Sequence, residues 1–424
     1  MGTQTVLSHL WAGGFKSLND ERKLELGRLT VLAGANSSGK SSLLQPLLLL
    51  KQTVEAPFDP GPLKLDGPNV EFSAPDQMFS TGLGKLPAAF FSCGVQFSDE
   101  ESVGFEFSAN GLRMELRTVG HKLPGESRFD RLSPTEVSEK IHERLLLRGV
   151  PHQATVKARR ERCFLLVDVA THERRWTITF GQDRVERFLR QILHVPGVRG
   201  NRRRAYLAAE VQGAMPGVFT DYAASLLSRW TEEKNSKLDD LSKALRALGL
   251  GWKIQGTRKD ASTVEVFVSR TIEPRKGGAH DLVNVADTGF AVSQSLPVLV
   301  ALVAAEPGQM VYIEQPEVHL HPRAQASMAG VLVEAVKRGV QVVVETHSNL
   351  LLTGLRRLVA DQALEPGAIR LHWFSRDPAG HTTIDSASVD ASGGFGDWPV
   401  DFADVELAED STYNEAAFRA LGRK

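Results

Sequence analysis

Only two of the 424 residues are cysteines, Cys93 and Cys163, too few for a disulfide framework or a four-thiolate zinc site. That scarcity fits a reducing compartment. Long apolar runs are also missing: residues 43–50 are broken by Gln45 and Pro46, and they, like 298–305, fall far short of the roughly 20 residues that cross a bilayer. Residues 1–15 lack the basic start and apolar core of a signal peptide. A cytoplasmic protein without membrane contact is therefore expected. The sequence has no internal repeat, no low-complexity tract and no sustained heptads, which excludes a solenoid and a long coiled-coil arm. Net charge is nearly absent at −1. What remains is ordinary globular composition, 42% hydrophobic and 24% charged with 37 Gly and 20 Pro, which excludes disordered and fibrous chains.

The balanced total hides an uneven distribution. Residues 155–206 carry 13 Lys/Arg against five acids, and residues 397–415 carry seven acids and no base. Such asymmetry marks either a solvated face or a partner surface, and the arginines Arg199, Arg202, Arg203 and Arg204 are the candidate contacts to DNA or RNA phosphates.

Hydrophobic patterning indicates an α/β chain. Residues 29–33, 310–313 and 341–344 are short apolar runs bounded by turn signals, as buried strands are, and each precedes a helical pattern, at 41–53, 323–337 and after 348. Strands that alternate with helices imply a mostly parallel sheet covered on both faces. Alternating segments near 3–10, 94–97 and 104–107 add an antiparallel N-terminal β region, and 220–248 reads as mostly helical.

Gly34-Ala35-Asn36-Ser37-Ser38-Gly39-Lys40-Ser41 fits G-x-x-x-x-G-K-[ST], with an apolar strand before it and a helix after it, and Ser42 follows as a further nucleotide-binding candidate. In that context the glycines let backbone N–H groups approach phosphates, and the helix N-terminus favours negative charge. Lys40 reaches the β- and γ-phosphates and Ser41 offers its hydroxyl to Mg²⁺. A nucleoside triphosphate with Mg²⁺ is the expected ligand.

Three further motifs narrow the class. Met310-Val311-Tyr312-Ile313-Glu314-Gln315-Pro316-Glu317-Val318-His319-Leu320-His321-Pro322 is an apolar strand ending in a carboxylate, the Walker B arrangement. Val344-Glu345-Thr346-His347-Ser348 is a second strand running into a polar turn, and Asp287-Thr288-Gly289-Phe290-Ala291-Val292-Ser293-Gln294 precedes an apolar helix. Together they resemble the ABC-type ATPase heads shared by SMC, RecF and overcoming-lysogenization-defect proteins, and the E-x-P-E-x-H-L-H-P wording resembles bacterial AAA-family ATPases of that superfamily. Gly14-Phe15-Lys16-Ser17-Leu18 resembles their "NFKS" opening with Gly in place of Asn. Residues 394–402 resemble a short C-terminal domain of unknown function found in one bacterial branch.

The resemblance implies ATP as cofactor, Glu314 as the Mg²⁺ carboxylate and His347 as the switch histidine at the γ-phosphate. It implies that Gly289, Ser293 and Gln294 meet the nucleotide of a second head, giving a homodimer or larger oligomer. Gln315 occupies the place where relatives usually carry the catalytic glutamate. Either hydrolysis is slow, or Glu317 supplies the base; otherwise Glu317 caps the next helix or, with His319, faces the second subunit. His319 and His321 lack a third ligand at zinc spacing. The chain carries no Asp-x-Asp cluster or other nuclease constellation after His347, so effector chemistry is expected in a separately encoded protein. The expected organisation is one ATPase head split into 1–120 and 255–390, around a basic insertion at 121–254, with an acidic segment at 391–424. The resemblance suggests an anti-phage or toxin–antitoxin ATPase; a RecF-like DNA clamp and an ATP-bound scaffold are the alternatives.

Overall fold

The computed structural model describes residues 6–81, 86–126, 129–136, 138–146, 149–199, 203–210, 213, 215–273, 281–396 and 411–415. Arg202 and the Trp398–Phe402 part of the C-terminal resemblance lie outside them.

The central sheet has six strands in the order Leu193–Val195, Met310–Glu314, Gln341–Thr346, Leu29–Gly34, Ile369–Arg376 and Thr382–Ala387. The first five run parallel and the last returns antiparallel. Parallel strands are buried on both faces, which is why they read as unbroken apolar runs. The side chains alternate between two cores. Val31, Val311, Ile313, Val342 and Val344 face the helices Phe290–Ala304, Pro322–Lys337 and Asn349–Ala360. Leu32, Met310, Tyr312, Val343 and Phe374 face the helix Lys40–Glu55 and a second sheet. That second sheet is antiparallel throughout, in the order Arg22–Glu25, Leu7–Gly13, Phe91–Phe97, Ser102–Asn110, Arg113–Lys122 and Asp130–Leu132. The fold class is thus α/β, with a mostly parallel central sheet and an antiparallel N-terminal β region.

The stretch 121–254 does not stand apart as an insertion. Asp130–Leu132 completes the N-terminal sheet, Leu193–Val195 pairs in parallel with the Glu314 strand, and Tyr206–Leu207 pairs with Thr263–Ser269. Its helices Ala223–Glu232 and Lys237–Ala247 pack into the first core through Leu227, Trp230, Leu241 and Leu245.

Its positive charge is largely spent inside the molecule. Helix Lys40–Glu55 has no base in its last turn to meet its terminal carbonyls. Arg162 supplies that charge, donating to Val54 O and Ala56 O, both at 2.8 Å, and Arg190 donates to Val54 O at 2.5 Å. Arg159 pairs with Glu161 and Asp168, Arg160 with Asp59, and Arg184 with Asp99 and Glu101. Arg162 is mostly buried in this clamp, and a charged hydrogen bond is worth about 1.5–3 kcal/mol. Arg162→Met should therefore lower the unfolding free energy by about that amount in urea titration; an unchanged midpoint would show that the clamp does not stabilise the helix end.

Candidate functional site

Because five strands run parallel, their C-terminal ends open on one edge of the sheet, and the loops after Gly34, Glu314, Thr346 and Arg376 converge there. Gly34 and Gly39 hold φ of 143° and 102°, conformations that L side chains rarely adopt. A Cβ would also lie 2.2 Å from Phe374 O at Gly34 and 2.0 Å from Thr382 Oγ1 at Gly39. The phosphate loop is therefore pressed against the last hairpin of the sheet. Thr382 Oγ1 donates to Ser38 O at 2.8 Å and lies 2.7 Å from Ser17 Oγ; Arg376 Nε donates to Ser37 O at 2.5 Å. This explains the Phe15-Lys16-Ser17 segment: Ser17 braces the loop from behind, and Lys16 reaches Gln45 at 2.7 Å on its rim.

Within the loop Lys40 is buried and donates to Gly34 O at 2.9 Å, Ala35 O at 2.7 Å and Ser38 Oγ at 3.4 Å. Residues 36–42, including Asn36, Ser37 and Ser42, line a cavity of about 500 Å³ together with Gln315, Glu345 and His347. A second cavity of about 550 Å³ adjoins it, lined by Phe290, Gln294, Glu314, Val318 and His319, and shares Ser41, Gln315 and Glu345 with the first.

Two carboxylates stand side by side at the sheet edge, Glu314 in register with Glu345. Glu314 accepts from His194 Nε2 at 3.1 Å and from Gly197 N at 3.0 Å. The carboxylate requires Nε2–H, and Asn69 Nδ2 donates to Nδ1 at 3.0 Å, which sets the His194 tautomer. Burial alone would raise the Glu314 carboxyl; the His194 bond, the Gly197 N–H and Arg199 outweigh it and hold the group below its ordinary value. Glu345 is different. Burial, and then the Glu314 charge, push its carboxyl up to about 7, against hydrogen bonds from Tyr312 OH and from Ser41 Oγ, the latter at 2.8 Å.

His347 is half-buried, and burial together with the Lys40 charge holds its imidazole below the ordinary range, so it is neutral at pH 7. Glu317 does not cap the following helix; His321 does, its Nδ1 accepting from Arg323 N at 3.3 Å. Glu317 is buried, and its Oε1 accepts from Thr346 Oγ1 and His347 N, both at 2.8 Å. It therefore faces neither the phosphate cavity nor the surface, whereas His319 is exposed beside Phe290, with ring centroids 5.7 Å apart. Gln315, at φ 46°, opens into both cavities.

Of the signature residues, Gly289 and Phe290 are exposed, while Ser293 and Gln294 are buried. Ser293 Oγ donates to Phe290 O at 3.1 Å and Gln294 Nε2 to Arg199 O at 3.1 Å. Gln294 thus bonds within its own head and also borders the second cavity. Arg199 also departs from expectation: only 4% exposed, it donates to Gln294 O, Glu314 O and Gln315 O. Burial lowers its guanidinium to about 10 although Glu317 and Glu314 oppose that. Its guanidinium is thus engaged within the head. Arg204 and Arg203 are both exposed, and Arg204 is paired with Asp287 at 2.6 Å.

Sequence reasoning missed His194, Glu345 and Arg376 as site residues. Glu345 had a signal, a carboxylate inside an otherwise apolar strand; the other two join the site only through strand order.

The family model described as "AAA domain, putative AbiEii toxin, Type IV TA system" matches residues 29–155 and 175–353, well over half of the chain. No curated protein matches it. Among solved structures, an SMC head bound to the C-winged helix domain of ScpA is 13% identical with a TM-score of 0.49, covering 91% of this chain and 98% of that one. The SMC head domain from Thermotoga maritima is 13% identical with a TM-score of 0.40, covering 91% and 100%. An SMC head with an extended coiled coil from Pyrococcus furiosus, bound to the C-terminal domain of ScpA, is 12% identical with a TM-score of 0.48, covering 91% and 96%. No helix among the described residues is long and apolar enough to cross a membrane. With its phosphate loop, its carboxylate-ended strand and the family match together, the chain belongs to the AAA-domain family of this description.

Proposed function

We propose that this chain is an ATP-binding, slowly hydrolysing ATPase subunit that associates head to head on ATP and controls a separately encoded effector in an anti-phage or toxin–antitoxin system. The observation that carries the slow-head reading is the pairing at Gln315 and Glu317. Of these two, the side chain that opens into the phosphate cavity is a neutral amide, and the carboxylate is buried on Thr346 and the His347 backbone. An amide orients a water molecule but does not take its proton at pH 7. Glu317 acts instead by fixing the turn that carries His347.

Lys40 and the loop N–H groups bind the phosphates, and neutral His347 stands at the cavity rim to donate to the terminal one. The donor set suits Mg²⁺: a hydroxyl from Ser41 and a carboxylate from Glu314, both at the loop edge. Bound there, the ion neutralises charge on the β- and γ-phosphates. The family description, with its AbiEii toxin and type IV toxin–antitoxin system, supports the biological setting. The clamp alternative loses support from the burial of Arg199.

Hydrolysis separates the two carboxylate accounts. Gln315→Glu should raise the single-turnover rate by about 10²–10⁴-fold, and Glu317→Gln, which keeps an acceptor for His347 N, should change it little. A rate unmoved by Gln315→Glu and abolished by Glu317→Gln would make Glu317 the base.

Association has its own test at Gly289. A Cβ there meets nothing within 4 Å and its backbone angle is ordinary, so Gly289→Arg leaves the head's packing intact. ATP with Mg²⁺ should increase the wild-type mass in light scattering and leave the Gly289→Arg protein unchanged, while both bind nucleotide equally. Equal ATP-dependent association of the two proteins would remove this surface from the interface.

A further inference from the structure

We propose that Glu345 is a positioning residue for the divalent cation of the nucleotide site, setting metal affinity through the Ser41 hydroxyl. The inference rests on the nucleotide reading above and assigns a second carboxylate to it. Glu345 sits near the end of the strand between the phosphate-loop strand and the Glu314 strand, in register with both Leu32 and Glu314. It is 3% exposed and borders both cavities.

The decisive contact is with Ser41. A serine hydroxyl has one proton and two lone pairs. Ser41 Oγ, which borders both cavities, gives its proton to Glu345 Oε2 at 2.8 Å, which leaves its lone pairs free to accept, as a metal-binding hydroxyl requires. Tyr312 OH holds the other Glu345 oxygen, so the acceptor is itself fixed. Glu314 makes no such contact with Ser41; its oxygens are held by His194 and Gly197 on the side away from the phosphate-loop strand. Two carboxylates buried side by side repel each other, and burying either is costly. A cation bound beside them offsets that repulsion, whereas a strand built only for packing would carry an apolar side chain at this place.

Removing an outer hydrogen-bond partner of a metal ligand typically costs about 10–100-fold in metal affinity. In Glu345→Gln the amide keeps the shape but donates where the carboxylate accepted, turning the Ser41 proton toward the metal. The full chain, saturated with a non-hydrolysable ATP analogue, is titrated with Mn²⁺ and free Mn²⁺ is read by electron paramagnetic resonance. Glu345→Gln should bind Mn²⁺ about 10–100-fold more weakly than wild type. Its affinity for the analogue in EDTA should not fall. Tyr312→Phe, which loosens the same carboxylate without altering charge, should weaken Mn²⁺ in the same direction and by less, and it serves where Glu345→Gln fails to fold. Wild-type Mn²⁺ affinity in Glu345→Gln, or in Tyr312→Phe where that variant stands in, overturns the proposal. So does an equal loss of analogue binding with and without metal, which would mark a structural role alone. Wild-type protein that binds no nucleotide would overturn the nucleotide reading itself.

Discussion

The parallel alignment of five strands is the constraint on which the rest of this molecule depends. It brings segments separated by hundreds of residues to one edge, so that Ser41 meets Glu345 across 304 positions of sequence and Ser38 meets Thr382 across 344. Neither contact has a local origin. Both exist because the phosphate-loop strand lies at the centre of the sheet, flanked by the strands that end in Thr346 and Arg376. Alternating side chains along these strands then fill two separate cores, one under the signature helix and one under the helix that follows the phosphate loop.

Several polar groups at that edge are buried, and most of their polar atoms are answered by a partner, Glu317 Oε2 and Arg199 Nε excepted. The pattern of answers separates tasks among similar residues. Glu314 is kept ionised by His194 and a backbone N–H, and Glu345 holds a hydroxyl. Glu317 braces the His347 turn. Arg199 joins three carbonyls, one on the signature helix and two at the end of the Glu314 strand, so a shift of that helix would be felt at Gln315. A buried guanidinium so shared has one favourable arrangement, and truncating it would leave several carbonyls unpaired.

Much of this was legible in the sequence where the information is contiguous. The phosphate loop and the apolar strands at 29–33, 310–313 and 341–344 carry local signals of period, glycine placement and strand-end polarity, and they stand where expected. What escaped depended on strand order or on burial. His194 looked like one more residue in a basic stretch until Leu193–Val195 took the edge of the central sheet. The arginines from 155 to 206 read as a surface because charge density looks alike whether its partners are solvent or the end of a helix. Gln294 lay inside a motif that suggested an outward role, but its amide turns inward onto Arg199.

The central claim is a nucleotide site that holds ATP longer than it hydrolyses it. The most direct measurement mixes the protein with an equimolar amount of ATP and Mg²⁺, removes free nucleotide after several minutes and identifies what stays bound. An ATPase turning over at about 10 s⁻¹ would convert a single equivalent within the first second. The account predicts that the retained nucleotide is mostly intact ATP, and that Lys40→Ala retains none. Retention of ADP alone, or of no nucleotide by the wild-type protein, would contradict it.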